Sequence, residues 1–353
     1  MFRRDRPLIG VDISSSAVKM LELAQSSRDL RRVERYAIAR LPRGAVSDGS
    51  IAKPEAVEAA MREAWQTMQT RTREVALALP SAAVITKKIL LPKDASEADI
   101  ETRVMAEANQ MAPFPLDEVS LDWQILGPAA QSPADNEALV VVSRRERLEE
   151  RVALAEAVGL KAVIVDVDSF ATLNAYEQMA HQLPEEGRGQ TVAIIDIGAH
   201  ATHVSVVHDR ELVYQREHAL GGHTLTQEIA RRYDLSQDDA EDAKRKGLLP
   251  DSYESEVLQP FLDALALEID RALQLFFGAT AYNAIDHILL AGGCAAIPGL
   301  DDIVHSRLQT STLIANPFAR MAVSSHVKAR QLAADAPALI VACGLALRRF
   351  DPA

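Results

Sequence analysis

Thr191-Val192-Ala193-Ile194-Ile195-Asp196-Ile197-Gly198-Ala199-His200-Ala201-Thr202-His203-Val204-Ser205-Val206-Val207 decides how this chain is read. Two apolar, β-branched runs flank a turn of small residues, the pattern of a β-hairpin. Asp196 lies near the end of the first run, and Gly198 lets the backbone turn with its N–H groups open. Such N–H groups attract an anion, and a carboxylate beside them holds a water on hydrated Mg²⁺. Taken alone, the stretch fits an ordinary hairpin as well as it fits a phosphate-binding turn.

The chain repeats the pattern. Leu8-Ile9-Gly10-Val11-Asp12-Ile13-Ser14-Ser15-Ser16-Ala17-Val18-Lys19-Met20-Leu21-Glu22-Leu23 has an apolar strand, an aspartate, a small polar turn and a second strand. Asp12 and Asp196 are far enough apart for each to open its own α/β domain. Two such hairpins face to face would clamp the phosphates of one nucleotide. The repetition reads as internal duplication and outweighs either half.

Composition sets the bounds. A chain of 353 residues predicts about two domains at ~150 residues each, with ample core. Hydrophobic content of 48% with 25% charged residues is ordinary for a soluble globular chain. A net charge of −12 argues against a non-specific nucleic-acid binder. Arg3, Arg4 and Arg6 make a small basic N-terminus that reads as a solvated tail. No run approaches the ~20 apolar residues of a membrane span, and no signal-peptide pattern follows the N-terminus. Cys294 and Cys343 lie in apolar stretches without ligand spacing, as buried free thiols do in a reducing compartment.

Periodicity predicts a strand region over 28–40 and a helix over 54–69, with Val57, Met61, Ala64, Trp65 and Met68 on one face. A short strand over 74–79 ends at Pro80. The pattern then changes. A strand over 84–90 leads to a helix that Ser96 caps, with Asp99 in the box position, and Pro113-Phe114-Pro115 stops it. Strands over 121–126 and 139–142 flank a Pro/Ala/Ser/Asp-rich loop, 127–136. A helix over 144–158 ends at Gly159, before a strand over 162–167. Together these form a β-α-β-β-α-β unit inserted in the first domain, read as an interaction module.

A helix over 168–182 crosses between the domain halves, and 183–190 is a linker. Beyond the second hairpin come a strand (211–217) and a helix opened by Gly221-Gly222-His223-Thr224. The next helix, capped by Ser236 and ended by Gly247, carries Glu241 and Lys244, a pair that also suits a solvated surface. A long amphipathic helix over 254–277 has Pro260 near its start. The buried strand 285–291 feeds Gly292-Gly293, where backbone can approach a flat or anionic ligand. Pro298 fits the first position of the following helix. A strand (313–315) and a closing helix (338–349) complete the reading.

In order, Gly10–Lys19, Val167–Ala171, Asp196–Thr202, Gly221–Thr224, Glu241 with Lys244, Gly292–Leu300 and Ala338–Leu347 resemble the serial motifs of the actin-like ATPase superfold, shared with heat-shock chaperones and sugar kinases. The insert falls in the first domain, where the FtsA-like branch carries subdomain 1C. Gly10–Lys19 and Glu107–Leu126, with its Pro113-Phe114-Pro115-Leu116-Asp117-Glu118 core, are similar to the PilM family of type IV pilus assembly proteins. The resemblance covers essentially the whole chain.

That resemblance implies an α/β, actin-like ATPase fold: two duplicated α/β domains with an inserted FtsA-type 1C subdomain. Subdomain 1A would take 1–80, 166–190 and 325–353; 1C, 81–165; 2A, 191–221 and 278–324; 2B, 222–277. It implies a cytoplasmic ATP-binding scaffold of the pilus inner-membrane platform. Such a scaffold grips the cytoplasmic N-terminal tail of PilN between 1A and 1C, reaches the membrane through that partner, and leaves room for other platform or motor contacts. It places phosphates over Ser14, Ser15, Ser16, Lys19, Gly198 and Thr202, and Mg²⁺, mostly through waters, near Asp12 and Asp196. Glu241 and Lys244 would contact ribose and adenine, over a floor made by Gly221, Gly222, Gly292 and Gly293. Asp168 falls where related ATPases position the attacking water. Two departures stand out: Ser14 replaces a frequent Gly, and Asp168 is one methylene shorter than the frequent Glu. Both point to slow or absent hydrolysis, because base geometry tolerates little misplacement. The alternatives are a small-molecule kinase of the same superfold and an FtsA-like division protein. The kinase would need a polar sugar pocket, and the division protein an amphipathic tail after the closing helix.

Overall fold

The computed structural model describes residues 6–27, 30–47, 49–129 and 132–351. Arg3, Arg4 and Arg28 of the readings above lie outside the described residues. Strands β1 (Ile9–Ile13), β2 (Ala17–Ser27) and β3 (Leu30–Arg40) form an antiparallel meander, with β1 and the first half of β2 buried on both faces. A small hairpin, β4 (Val46–Ser47) and β5 (Ser50–Ile51), leads into helix α1 (Pro54–Met68). Pro54 fits the first turn, where its missing N–H costs nothing. Val57, Ala60, Met61, Ala64 and Met68 bury one face of α1, and Gln69 ends it in a left-handed cap. Strand β6 (Glu74–Leu79) then pairs parallel to β1.

Next comes a separate three-stranded sheet. Strand β7 (Val84–Pro92), helix α2 (Glu97–Met111), and strands β8 (Val119–Ala129) and β9 (Ser132–Arg144) enclose a core of Ile89, Leu91, Val104, Ala108, Val119, Ala138, Val140 and Val142. Ser96 caps α2 as expected, its Oγ accepting from the Asp99 N–H at 3.2 Å. The stretch 127–136 is not the expected loop, since its described residues belong to β8 and β9. Asp135 and Asn136 pair with Pro92 and Leu91, and Lys93 N–H donates to Ala134 O at 3.1 Å. Cross-strand partners override a weak intrinsic preference. The ladder keeps irregularities at Ile125/Gly127 and Pro128/Ala129, where those residues fit it poorly.

The expected six-element insert divides here. Helix α3 (Arg145–Ala157) buries Leu154 and Ala155 in the same core as α1, and β10 (Lys161–Val167) pairs with β6. A fully buried arginine fixes the junction. Arg151 donates from Nε to Ala78 O at 2.9 Å and from Nη2 to Gly49 O at 2.8 Å, joining α3 to strand β6 and to the β4–β5 turn.

Helix α4 (Asp168–Met179) leads to the second sheet. There β11 (Thr191–Ile197), β12 (Thr202–His208) and β13 (Glu211–His218) form another antiparallel meander. Helices α5 (Gly222–Tyr233), α6 (Gln237–Lys246) and α7 (Gln259–Ala279) follow. A π turn over Glu254–Leu258 precedes α7 where Pro260 cannot donate to the helical ladder. Strand β14 (His287–Ala291) pairs parallel to β11, and helix α8 (Leu300–Leu308) leads to β15 (Ser311–Ile314). Pro298 is not the first residue of α8. Gly299 is the N-cap, with φ of 82°, so the proline stands one residue outside the helix.

The duplication is visible in strand order. The first sheet runs β10-β6-β1-β2-β3 and the second β15-β14-β11-β12-β13, each a three-stranded meander extended by two parallel strands. Strand β16 (Ala322–Val323), in the stretch assigned above to 2A, adds to the first sheet beside β3. Ser324 N–H donates to Val33 O at 3.0 Å, so the chain has returned to the first lobe by this point.

Helices α9 (Ala329–Asp335) and α10 (Ile340–Leu347) close the chain. Contrary to the sequence expectation, the helical run Ala329–Phe350 is long and apolar enough to span a membrane by length and composition. It serves instead as core, with every residue of α10 buried. A Cβ on Gly344 would lie 1.7 Å from Ala171 O, so only glycine lets α10 approach α4 this closely. Leu21 of the first sheet, Ile194 and Leu289 of the second, Tyr176 of α4 and Ala342 of α10 share one core. The lobes are therefore packed at their base, and a cleft opens above it.

Candidate functional site

The two acidic turns are built alike. Ser14 N–H donates to Ala17 O at 3.0 Å in the first, and Gly198 N–H to Ala201 O at 2.9 Å in the second. Register places Asp12 opposite Lys19 in the first hairpin and Asp196 opposite His203 in the second. Lys19 Nζ lies 2.8 Å from Asp12 Oδ2. Burial works against the Lys19 ammonium, but Asp12 and Asp196 together outweigh it and raise its pKa above the usual lysine value. Lys19 therefore feels both carboxylates, across the gap between lobes. Burial pushes the Asp196 carboxyl up, against the pull of His203 and Lys19, and Asp12 adds to the rise.

Between these turns lies a cavity of about 1340 Å³. Asp12, Ser14, Ser15, Ser16, Lys19, Asp168, Asp196, Gly198, Gly222, Glu241, Lys244, Gly292 and Gly293 all line it. Thr202 and Gly221 do not. Thr202 is buried and donates to Leu220 O at 2.7 Å. A Cβ on Gly221 would meet Ala199 C at 2.6 Å. These two residues support the second turn from behind.

The wall opposite the turns is a network only partly anticipated from sequence. Lys244 Nζ donates to Glu241 Oε2 at 2.6 Å and to Thr226 Oγ1 at 2.7 Å, while Thr226 donates to Glu241 Oε2 at 2.6 Å. Burial alone would raise the Glu241 pKa, but the bonds from Lys244 and Thr226 hold it down at about 2. It is ionised at any physiological pH. Thr226 sits on α5, away from the other two, and no spacing in the sequence pointed to it.

Gly292 makes the floor, with φ of 83°. A Cβ there would lie 2.3 Å from Ile197 O and 2.5 Å from Asp196 Oδ1, so glycine alone permits β14 to end against the second turn. Beside it Cys294 Sγ donates to Gly198 O at 3.4 Å. Burial pushes this thiol up to about 11, and it stays protonated.

Asp168, the first residue of α4, is already engaged. Its Oδ1 accepts from Ser81 N–H at 3.0 Å and from the Ser81 hydroxyl. Burial raises its pKa, and the Ser81 bond opposes the rise. Ser81 opens the segment leading to β7, so one carboxylate joins the cavity wall to the root of the inserted sheet. Among the described residues no group of three or more His, Cys, Asp or Glu side chains is placed to hold a metal ion. Two facing carboxylates with water fit a hard, partly hydrated cation that arrives with its own oxygen ligands.

A family model described as type IV pilus assembly protein PilM matches residues 10–350. The chain belongs to that family. A solved PilM-PilN type IV pilus biogenesis complex holds a chain 28% identical to this one, with a TM-score of 0.80, covering 98% of this chain and 99% of that chain. EutJ, an ethanolamine utilization protein from Carboxydothermus hydrogenoformans, is 14% identical, with a TM-score of 0.55 over 96% of this chain and 88% of its own. A diol dehydratase-reactivating factor, solved in nucleotide-free form, is 10% identical, with a TM-score of 0.55 over 98% of this chain and 100% of its own. The PilM family chain and these more distant relatives share one architecture, and the fold is the actin-like ATPase fold expected from the motifs.

Proposed function

We propose that this chain binds Mg-ATP between its two acidic turns and works as a nucleotide-braced scaffold in the inner-membrane platform of the type IV pilus. Its partner in this reading is the cytoplasmic N-terminal tail of PilN, held in a groove between the first lobe (1A) and the inserted sheet (1C). The 28% identical relative in a PilM-PilN complex supports the choice of partner. The protein would act in the cytoplasm and reach the inner membrane only through that partner. Other platform or motor components belong to the same proposed assembly.

The observation that carries the nucleotide reading is Lys19, one ammonium under the influence of both Asp12 and Asp196. Ser15, Ser16, Lys19 and Gly198 would cradle phosphates, with Ser14 and Thr202 shaping the two turns. Glu241 and Lys244 would meet ribose and adenine above the glycine floor. Asp12 and Asp196 would hold Mg²⁺ mostly through waters, and the bound ion supplies neutralisation of phosphate charge. Asp168 would be a poorly placed proton acceptor, because the two bonds from Ser81 to its Oδ1 tie the carboxylate to the root of the insert. Slow or absent turnover follows. The same bonds give cleft closure a route to the insert, provided nucleotide binds one cleft state better than the other.

Asp196→Ala should abolish Mg-ATP binding in calorimetry, and undiminished affinity would remove the site. A peptide of the PilN tail should bind at micromolar affinity or better, and should slow amide exchange along the seam between insert and first lobe. Binding with protection elsewhere would overturn the groove. Phosphate release should stay far below the ~10 s⁻¹ of a typical enzyme.

A further inference from the structure

Two imidazoles meet at the second turn, and nothing above uses them. His200 sits on the turn itself, and His223 is the second residue of α5. Their ring centroids are 4.8 Å apart, with planes inclined at 49°. Backbone bonds hold the pair in place. Gly222 N–H donates to Gly198 O at 3.0 Å and His223 N–H to Ala199 O at 2.7 Å. Both side chains line the cavity, and His200 is exposed within it. Nε2 of His223 is buried without a hydrogen-bond partner. An unpaired buried ring nitrogen is unfavourable, and a ligand in the cavity that reached it would relieve that cost.

We infer that His200 and His223 form a polyphosphate-receiving pair that takes up a proton as nucleotide binds, so that affinity rises as pH falls. This inference rests on the nucleotide reading above and adds a proton to it. In the free protein, burial lowers the His223 pKa. Arg43 of the first lobe, His200 on the turn and Lys244 of α6 push the same way, while Glu241 of α6 opposes them. His223 is therefore neutral at pH 7. A polyanion set against the pair reverses the balance, because an opposite charge nearby favours the charged imidazole. The proton comes from solvent to a ring nitrogen, and no covalent bond to phosphorus forms. A transition-metal centre is a poorer account, since no third His, Cys, Asp or Glu joins the pair among the described residues.

The test is calorimetry of the full chain with Mg-ATP, and with inorganic tripolyphosphate, from pH 6 to pH 8 in buffers of different ionisation enthalpy. Wild type should take up roughly a third to a half of a proton on average across that range and lose roughly five- to tenfold in affinity, since one full linked proton would give about tenfold per pH unit. His223→Gln should bind more weakly with the proton uptake gone. His200→Gln, a change on an exposed turn that leaves the core untouched, should lose most of the pH dependence as well. Mg-ATP binding without proton uptake would sink the inference and leave the nucleotide reading standing. Uptake unchanged in both variants would assign the proton to another group, and would also overturn the inference. Absence of Mg-ATP binding at every pH would remove both.

Discussion

The first and second hairpins share a register, a turn bond and a place in their sheets, yet they contribute different things to the cleft. The first contributes charge. Lys19, opposite Asp12, is largely buried and sits in the field of both aspartates. The second contributes shape. His203, opposite Asp196, is 37% exposed and 3.6 Å from Glu217, whereas the turn carbonyls are held from behind by Gly222 N–H, His223 N–H and Cys294 Sγ. In the first turn, the interstrand bond from Leu41 N–H to Ser16 O, at 2.9 Å, is the comparable support. A duplicated element has thus been divided between an electrostatic half and a rigid half. This explains why the two loops differ in composition although their geometry agrees.

Removing the charge should have the largest effect. Lys19→Met leaves Asp12 and Asp196 sharing a partly buried space without a cation. Breaking a buried pair from one side costs about 3–5 kcal/mol. Urea unfolding should register that loss, and Mg-ATP affinity should fall by about a hundredfold or more, each tenfold being about 1.4 kcal/mol. His203→Met should cost under about 1 kcal/mol, as exposed pairs do. Equal losses from the two substitutions would erase the distinction between the hairpins.

Shape comes next. Gly292→Ala drives a Cβ against Ile197 O at 2.3 Å and Asp196 Oδ1 at 2.5 Å, on a backbone (φ 83°, ψ 172°) that residues with a side chain seldom adopt. Backbone atoms have little room to yield, and a loss of about 2–4 kcal/mol is expected. Gly299→Ala has almost the same φ, 82°, but open space around the new methyl. It should cost only about 1–2 kcal/mol, the price of the left-handed conformation itself. If thermal unfolding ranks the two alike, contact with the second turn is not what Gly292 provides.

How much of this was legible in the sequence follows from how local each signal is. The hairpins could be read because strand, aspartate and small-residue turn are consecutive. Ser96 and Ser236 could be read because their capping partners, Asp99 and Asp239, lie three residues on. Contacts made across the fold left no such trace. Thr226 reaches Glu241 and Lys244 from another helix, and Ser81 reaches Asp168 across 87 positions. The allegiance of α3 was misread because Arg151 looks like a surface residue until Ala78 and Gly49 carbonyls surround it. The extended β8–β9 hairpin was missed because its pairing with β7 outweighs a loop-like composition.

The smallest effect sharpens the comparison most. Ser14 stands where the second hairpin has Gly198, and its hydroxyl is already occupied. Oγ donates to Ala17 O at 2.9 Å and accepts from Ala17 N–H at 3.3 Å, closing the turn. Ser14→Gly would make the two turns chemically alike. It removes one net hydrogen bond, worth about 1 kcal/mol, and adds unfolded-chain entropy of roughly half that or more. Stability should therefore fall slightly. Mg-ATP affinity should rise, by less than tenfold, because phosphate can approach a turn without the side chain in the way. A gain in affinity alongside a loss in stability would mean that Ser14 trades approach for rigidity, giving the first turn by side chain what the second receives from α5. A loss of both would mean that the hydroxyl itself meets phosphate, and that the first turn binds through side chains where the second binds through backbone.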